Sequence, residues 1–445
     1  MKFSNLLFIF FFYWALPCNA QWSVDTTLTW KNNPPAINTM TTVDSSVSWM
    51  IGYYYDADSA FIERRTRNGW SPISIDDIRT EKPVCIAAID AMRAWIGTYN
   101  GKIYVTSNGG FNWLLQLNPG AYINDIKFSA INSNYGYIFS DPPGGPNTPF
   151  RIYKTTDSGL NWMLFTPQLN GDYVGAAYTG CVTDSLHFWF GLNSQGVNQI
   201  PKIAYTANGG LNWQTITLPY SSYFVSAVQF MYDNNTAMSS CYGGPPVPLF
   251  KTTNAGSSWY ISRNLSIGEP TLQNLVWVKG TSSWFYCALD QVGKSTDNGL
   301  TWNDITFPIQ NGEQILWLDA VAEQNKVYVY AVTNMYRIMR YADMVYTIGI
   351  KNLSTGVPES FKLYQNYPNP FNPSTKIKFA IPKRSFVRLK IFDILGREKE
   401  MLVNQEVSPS EYEVFFDGSK YSSGVYFYRI TTGTFTDTKK MVIVK

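Results

Sequence analysis

The octet TTDSGLNW (155–162) decides the fold because it recurs as TSNGGFNW (106–113), TANGGLNW (206–213), TTNAGSSW (252–259) and STDNGLTW (295–302). The shared pattern is Ser/Thr, any residue, Asp/Asn, any residue, Gly, any residue, a small polar residue, Trp. Repetition at a fixed period sets the architecture before any single residue is interpreted. Each octet also carries turn chemistry. Asn108, Asp157, Asn208, Asn254 and Asp297 offer short acceptors to turn amides. Two residues on, Gly110, Gly159, Gly210, Gly256 and Gly299 take a positive φ without a Cβ clash. Trp113, Trp162, Trp213, Trp259 and Trp302 then open the next strand and are expected to bury against the sheet.

The five tryptophans follow one another at intervals of 43–51 residues, and backward steps of 43 and then 40 reach Trp70 in RRTRNGW and Trp30 in TTLTW. Before each octet lie two strand-like runs, such as PVCIAAIDAMRAWIGTY and INDIKFSAINSNYGYIFSD. A unit of four strands in ~40–50 residues is one propeller blade. The expected fold is therefore all-β, a seven-bladed β-propeller over 21–347. The last unit has a third strand around MYRIMRYAD (335–343) but no octet after it, and the Trp30 strand has nothing before it. The N-terminal strand is expected to complete the last blade, which removes exposed sheet edges.

Composition agrees. Aromatic residues make up 16% of the 445 and charged residues 15%, with 32 Gly and 24 Pro, which suits short strands and tight turns. Residues 1–20, MKFSNLLFIFFFYWALPCNA, have the parts of a secretory leader, with cleavage expected after Ala20. Pro17 before Cys18 argues against a lipid anchor, and no other stretch is apolar and long enough to span a bilayer. Cys85, Cys181, Cys241 and Cys287 lie in apolar strand-like runs and read as small buried hydrophobes. From Phe361 onward there are 14 Lys+Arg against 8 Asp+Glu, so the net charge of +3 leaves the larger region slightly acidic. That region has no basic stripe for nucleic acid.

After Tyr346 the texture changes. Residues 348–361 read as a linker, and 362–445 alternate with period two between Gly and Asn-Pro turns, the pattern of a small Ig-like β-sandwich. Its distinctive pieces are NYPNPFNPST (366–375), IFDILGRE (391–398), SSGVYFYRI (422–430) and KKMVIVK (439–445).

The octets resemble Asp-box (BNR) repeats of sialidase-type, sortilin-type, xyloglucanase-type and photosystem II assembly-factor-like propellers. That resemblance implies the propeller and puts the turns away from the ligand face. The pieces at 362–445 closely resemble the type A C-terminal sorting domain of the type IX secretion system. This implies Sec export, recognition by the type IX translocon, and delivery to the surface or surroundings of a Bacteroidetes-type bacterium.

Common catalytic chemistry is scarce. His187 is the only histidine, in SLHFWFG, so a multi-histidine zinc site is excluded and a Ser–His–Asp triad has one possible centre. It reads as a partly buried strand histidine. Each octet holds at most one carboxylate, too few for calcium, and no metal or cofactor is expected. Sialidase chemistry lacks its Arg-Ile-Pro signature. The nearest string is FRIY (150–153), and Arg64, Arg65 and Arg67 alternate along one strand, so they cannot all face one sugar. Another glycoside hydrolase would pair Asp141 with Asp290 or Asp319, although those carboxylates read as turn caps near strand ends. The preferred reading is a non-enzymatic binding or scaffold module for a glycan or surface protein. Its rim is formed by the loops 140–150, 191–201 and 241–250, with Asp141, Asn193, Gln195 and Tyr242 as contacts.

Overall fold

The computed structural model describes residues 21–28, 35–54, 59–73, 76–129, 132–145, 148–166, 169, 173–194, 200–219, 224–231, 234–242, 247–265, 272–323, 326–344, 350–352, 358–372, 374–407, 409–418 and 421–444. The leader assigned to 1–20 lies outside them. Six antiparallel sheets follow in chain order over 36–72, 83–117, 123–165, 173–217, 224–265 and 272–305, and are numbered here as blades 1 to 6. Blade 7 combines Ile315–Glu323, Lys326–Thr333 and Arg337–Met344 with Gln21–Thr27 as its outer strand. First strands of neighbouring blades contact one another, so they line the hub.

The ring is closed by Gln21–Thr27, antiparallel to Arg337–Met344 with Val24 opposite Met339 and Trp22 opposite Tyr341. The closing strand thus ends before Trp30, which lies outside the described residues. Trp22 is the buried indole here, 4.8 Å from Phe307 and 5.2 Å from Tyr341. Counting tryptophans in register misplaced the strand because no octet turn sets the register of this outer strand. Asp25 locks the seam. It accepts from Arg65 Nε (2.9 Å), Arg65 Nη2 (3.2 Å) and Trp70 Nε1 (2.8 Å), while Arg65 Nη1 and the Tyr330 hydroxyl both donate to the carbonyl of Ser45.

The octets share one hydrogen-bond circuit. In blade 3 Thr155 Oγ1 receives the Gly159 N–H at 2.9 Å and donates to Asp157 Oδ1 at 2.7 Å, which in turn accepts the Asn161 N–H at 2.9 Å. Thr106, Thr206, Thr252 and Ser295 repeat it in blades 2, 4, 5 and 6. The fourth and fifth octet residues both adopt positive φ, as at Ser158 (60°) and Gly159 (79°). A Cβ on Gly159 would also sit 2.5 Å from Trp95, so packing as well as φ demands glycine there. Two of the octet tryptophans bond to the preceding blade: Trp162 Nε1 donates to Gln116 of blade 2, and Trp302 Nε1 to Ser262 of blade 5.

A second repeat lies in the first strands. Six of the seven carry a one-residue bulge, at Asn38, Val84, Asn124, Ser226, Gln273 and Leu316. In blade 4 the strand instead splits into Tyr173–Gly175 and Cys181–Val182. Bulges bend and twist a strand, which suits the tight curvature of a hub.

Past the propeller, two four-stranded sheets form the sandwich: Glu398–Val407, Ser385–Asp393, Gly424–Thr431, Thr436–Ile443; and Ile350–Asn352, Ser410–Asp417, Ser374–Ile381, Lys362–Leu363. Ile350–Asn352, within the stretch expected as linker, is an edge strand. Ile377, Phe379, Leu389, Ile391, Val414, Tyr428 and Met441 fill the core. The distinctive sequence pieces interlock. Phe371 bridges Ile443, Gln365 Nε2 donates to the Lys440 carbonyl, and the Tyr428 hydroxyl donates to the Tyr364 carbonyl.

Candidate functional site

A four-strand meander puts its 1–2 and 3–4 hairpins on one face of the ring, and its 2–3 loops and blade-to-blade connections on the other. The octet turns accordingly bond to the 1–2 hairpins of their own blades, as Gly109 N–H to Met92 O and Ser158 N–H to Asn134 O. The hub is open on both faces. Tyr178 of blade 4, at φ 62°, reaches across the channel to Trp317 of blade 7, with ring centroids 5.1 Å apart and planes at 72°. This pair stands between two vestibules.

The vestibule on the 2–3-loop face encloses about 860 Å³ and is lined by Tyr53, Tyr99, Tyr122 and Tyr178 from blades 1 to 4, with Asn38, Lys82 and Asn100. Strand ends place the rings. Tyr53 and Tyr99 close the second strands of blades 1 and 2, and Tyr122 precedes the first strand of blade 3. Tyr99 is 59% exposed and meets Tyr122 edge-on at 5.5 Å. Lys82 Nζ lies 5.9 Å from the Tyr53 ring centre. Burial pushes the Tyr122 and Tyr178 hydroxyls above the ordinary phenol range, so both stay protonated donors.

The vestibule on the octet face has about 460 Å³ and is lined by first-strand residues of all seven blades. It holds Asp125, Lys127, Lys279 and Asp319. Asp125 Oδ1 accepts from the Ile126 N–H and Oδ2 from Gly180, with Lys127 Nζ at 3.4 Å. Asp319 accepts from the Ala320 N–H (2.9 Å) and from the Thr42 N–H of blade 1 (2.6 Å). Burial raises both carboxyls above the usual carboxylate range. Asp319 is thus a mid-strand channel residue rather than a turn cap.

The rim expected from the proline-containing loops lies only partly within the described residues, where Asp141, Asn193 and the Tyr242 backbone can be placed. Asp141 accepts from Asn124 Nδ2 and the Gly175 N–H, both at 2.8 Å, and so clamps blade 3 to blade 4; burial raises its carboxyl. Asn193 lies in the strand Phe188–Ser194 of blade 4, opposite Val174, with its Oδ1 buried and without a hydrogen-bond partner among the described residues. The Tyr242 backbone pairs with Phe224. Gln195 falls outside the described residues. His187 sits just before its strand, Nδ1 2.9 Å from Asp184, with its ring stacked on Trp189. Arg64 and Arg65 do diverge: Arg64 donates to the Gly109 carbonyl, Arg65 to Asp25. The four cysteines among the described residues, Cys85, Cys181, Cys241 and Cys287, are buried and free. The tyrosine cluster was missed although it had a signal, the repeated strand endings IGYY (51–54) and IGTY (96–99).

Comparison with known proteins bears on the fold and the C-terminal region. Two solved structures, "YCF48 bound to D1 peptide" and "YCF48 from Cyanidioschyzon merolae", each align with a TM-score of 0.51 and 15% identity, over 72% of this chain and 96% and 98% of theirs. The WD40 β-propeller domain of Doa1 aligns at 0.49 and 11% identity over 73% of this chain and 97% of its own. At such identities the likeness is one of fold, the β-propeller. No curated protein matches the chain. Residues 365–444 match the family model described as "Secretion system C-terminal sorting domain". The chain is a β-propeller whose C-terminal sorting domain directs export by type IX secretion to the cell surface or extracellular space.

Proposed function

We propose that the exported propeller is a glycan-binding module without catalytic turnover, and that the tyrosine vestibule is its binding site. The observation that supports this is convergence: four tyrosines from four consecutive blades surround one open cavity, with amide and ammonium donors at its edge. Aromatic faces stack on apolar sugar faces while a few polar groups fix orientation. Two of the carboxylates weighed for hydrolysis are engaged elsewhere. Asp141 is held by the Asn124 side-chain amide of blade 3 and the Gly175 N–H of blade 4, and Asp319 belongs to the other vestibule. The octet turns act as Asp-box structural turns on the face away from the sugar.

The test is a glycan array probed with the mature chain, alongside a screen of aryl-glycosides. Binding to one glycan class, lost by at least tenfold in Tyr99→Ala, is the expected result. Turnover abolished by Asp319→Asn would replace this reading with a glycoside hydrolase.

A further inference from the structure

The octet-face vestibule presents an imbalance of hydrogen-bonding groups. Each oxygen of Asp125 and of Asp319 already accepts one backbone N–H, so the wall itself holds both carboxylates. The groups left over are donors. Lys279, in the hairpin turn after the first strand of blade 6, is exposed at the cavity with no hydrogen bond among the described residues, and desolvation by the surrounding wall pulls its ammonium below the ordinary lysine value. Lys127 of blade 3 is one-third exposed, and its one ion pair, at 3.4 Å, leaves protons to spare. Gln229 of blade 5 lines the same cavity, with no partner for its amide among the described residues. Three blades therefore aim unspent donors into one space. Its floor is aromatic, the half-buried Trp317 and Tyr178.

We propose that this vestibule is a second binding site, taking a carboxylate-bearing ligand of sugar-acid size whose carboxylate lies between Lys279 and Lys127 and whose ring rests on Trp317. The ligand's carboxylate supplies an acceptor to donors that the wall leaves unpaired, and charge-assisted bonds to it are the strong kind. A cavity of about 460 Å³ holds one such residue rather than a polymer. The site is separated from the tyrosine vestibule by the Tyr178–Trp317 pair, so it stands or falls independently of the function proposed above.

Titration calorimetry of the mature chain with sodium glucuronate tests it, with methyl glucoside and acetate as companions. Glucuronate is expected to bind saturably, and methyl glucoside not to bind. Lys279→Ala should weaken glucuronate by about tenfold or more, the worth of one lost charged hydrogen bond, while Lys279→Arg keeps it within about threefold. Tyr99→Ala should leave it unchanged. Lys127→Met strips Asp125 of its cation and can unfold the hub, so the exposed Lys279 carries the decision. Absence of saturable glucuronate binding, or equal affinity in Lys279→Ala, overturns the proposal. Acetate binding as tightly as glucuronate overturns the sugar-acid assignment.

Discussion

Replacing Asp25 with alanine should open the ring at its seam. The carboxylate is the shared acceptor for Arg65 and Trp70, and both members of the ion pair are nearly enclosed, with side-chain exposures of 14% for Asp25 and 12% for Arg65. The substitution leaves a buried guanidinium with one carbonyl partner, Ser45, and the Tyr330 ring at 5.0 Å. Removing one partner of a buried ion pair costs about 3–5 kcal/mol. Water can follow the opened strand, so the lower end, ~3 kcal/mol, is the working figure. For a unit of this size that is a fall in Tm of roughly 5–10 °C. Tryptophan fluorescence on heating reads it, since every tryptophan of the chain precedes residue 318 and the sandwich is silent. Hydrogen exchange should show the loss first in Gln21–Thr27 and Arg337–Met344. A cycle with Arg65→Met isolates the pair, and a coupling of at least ~2 kcal/mol is expected. Additive effects, or an Asp25→Ala Tm within 1 °C of the parent by this assay, would refute the seam as the strand's anchor.

Other perturbations have defined signs. Glu63 in the third strand of blade 1 is buried, and burial pushes its carboxyl up to about 7. A carboxyl raised on folding costs stability as pH climbs from its unfolded value through 7, and costs nothing below both. Glu63→Gln should therefore raise stability by about 1–2 kcal/mol at pH 8, after allowing for residual water, with no gain at pH 4 in paired melts. Ala255 holds φ 56° at the fourth octet position. Ala255→Gly should add roughly 0.5–1 kcal/mol in urea denaturation, because the αL penalty exceeds the added chain entropy. Thr155→Val breaks the circuit of the blade 3 octet, leaving the buried Gly159 N–H without its acceptor. A loss of about 1–3 kcal/mol is expected, with faster exchange of the Gly159 amide.

Why some of this was legible in the chain and some was not follows from the range of each interaction. The octets are local. Thr155, Asp157 and Gly159 bond within six residues, so their spacing alone specifies the turn and, by repetition, the propeller. The sandwich was legible for a related reason, its period-two strands and their motifs being contiguous. Ring closure was legible in outline, from the missing outer strand of the last blade, but not in register. Register there depends on Trp22 packing against Phe307 and Tyr341, residues nearly 300 positions away.

The candidate site lay furthest from view because it is made by the hub rather than by any loop. Pro142 and Pro143 drew attention to the loop beginning at Asp141, yet that carboxylate is consumed by the adjoining blade. Tyr53, Tyr99 and Tyr122 are ordinary tyrosines at strand ends, and Tyr178 a turn tyrosine, until seven sheets turn their inner edges to one axis. The same geometry turns Asp125, Lys127 and Asp319 from polar residues in two hydrophobic strands into a charged cluster facing the channel. In a closed propeller, polar residues on first strands cannot reach bulk solvent except through the channel, so a charge retained there must either be satisfied by the wall or face a guest. Asp125 and Asp319 meet the first condition, whereas Lys279, in the hairpin turn beyond its strand, is exposed at the channel with no hydrogen bond among the described residues.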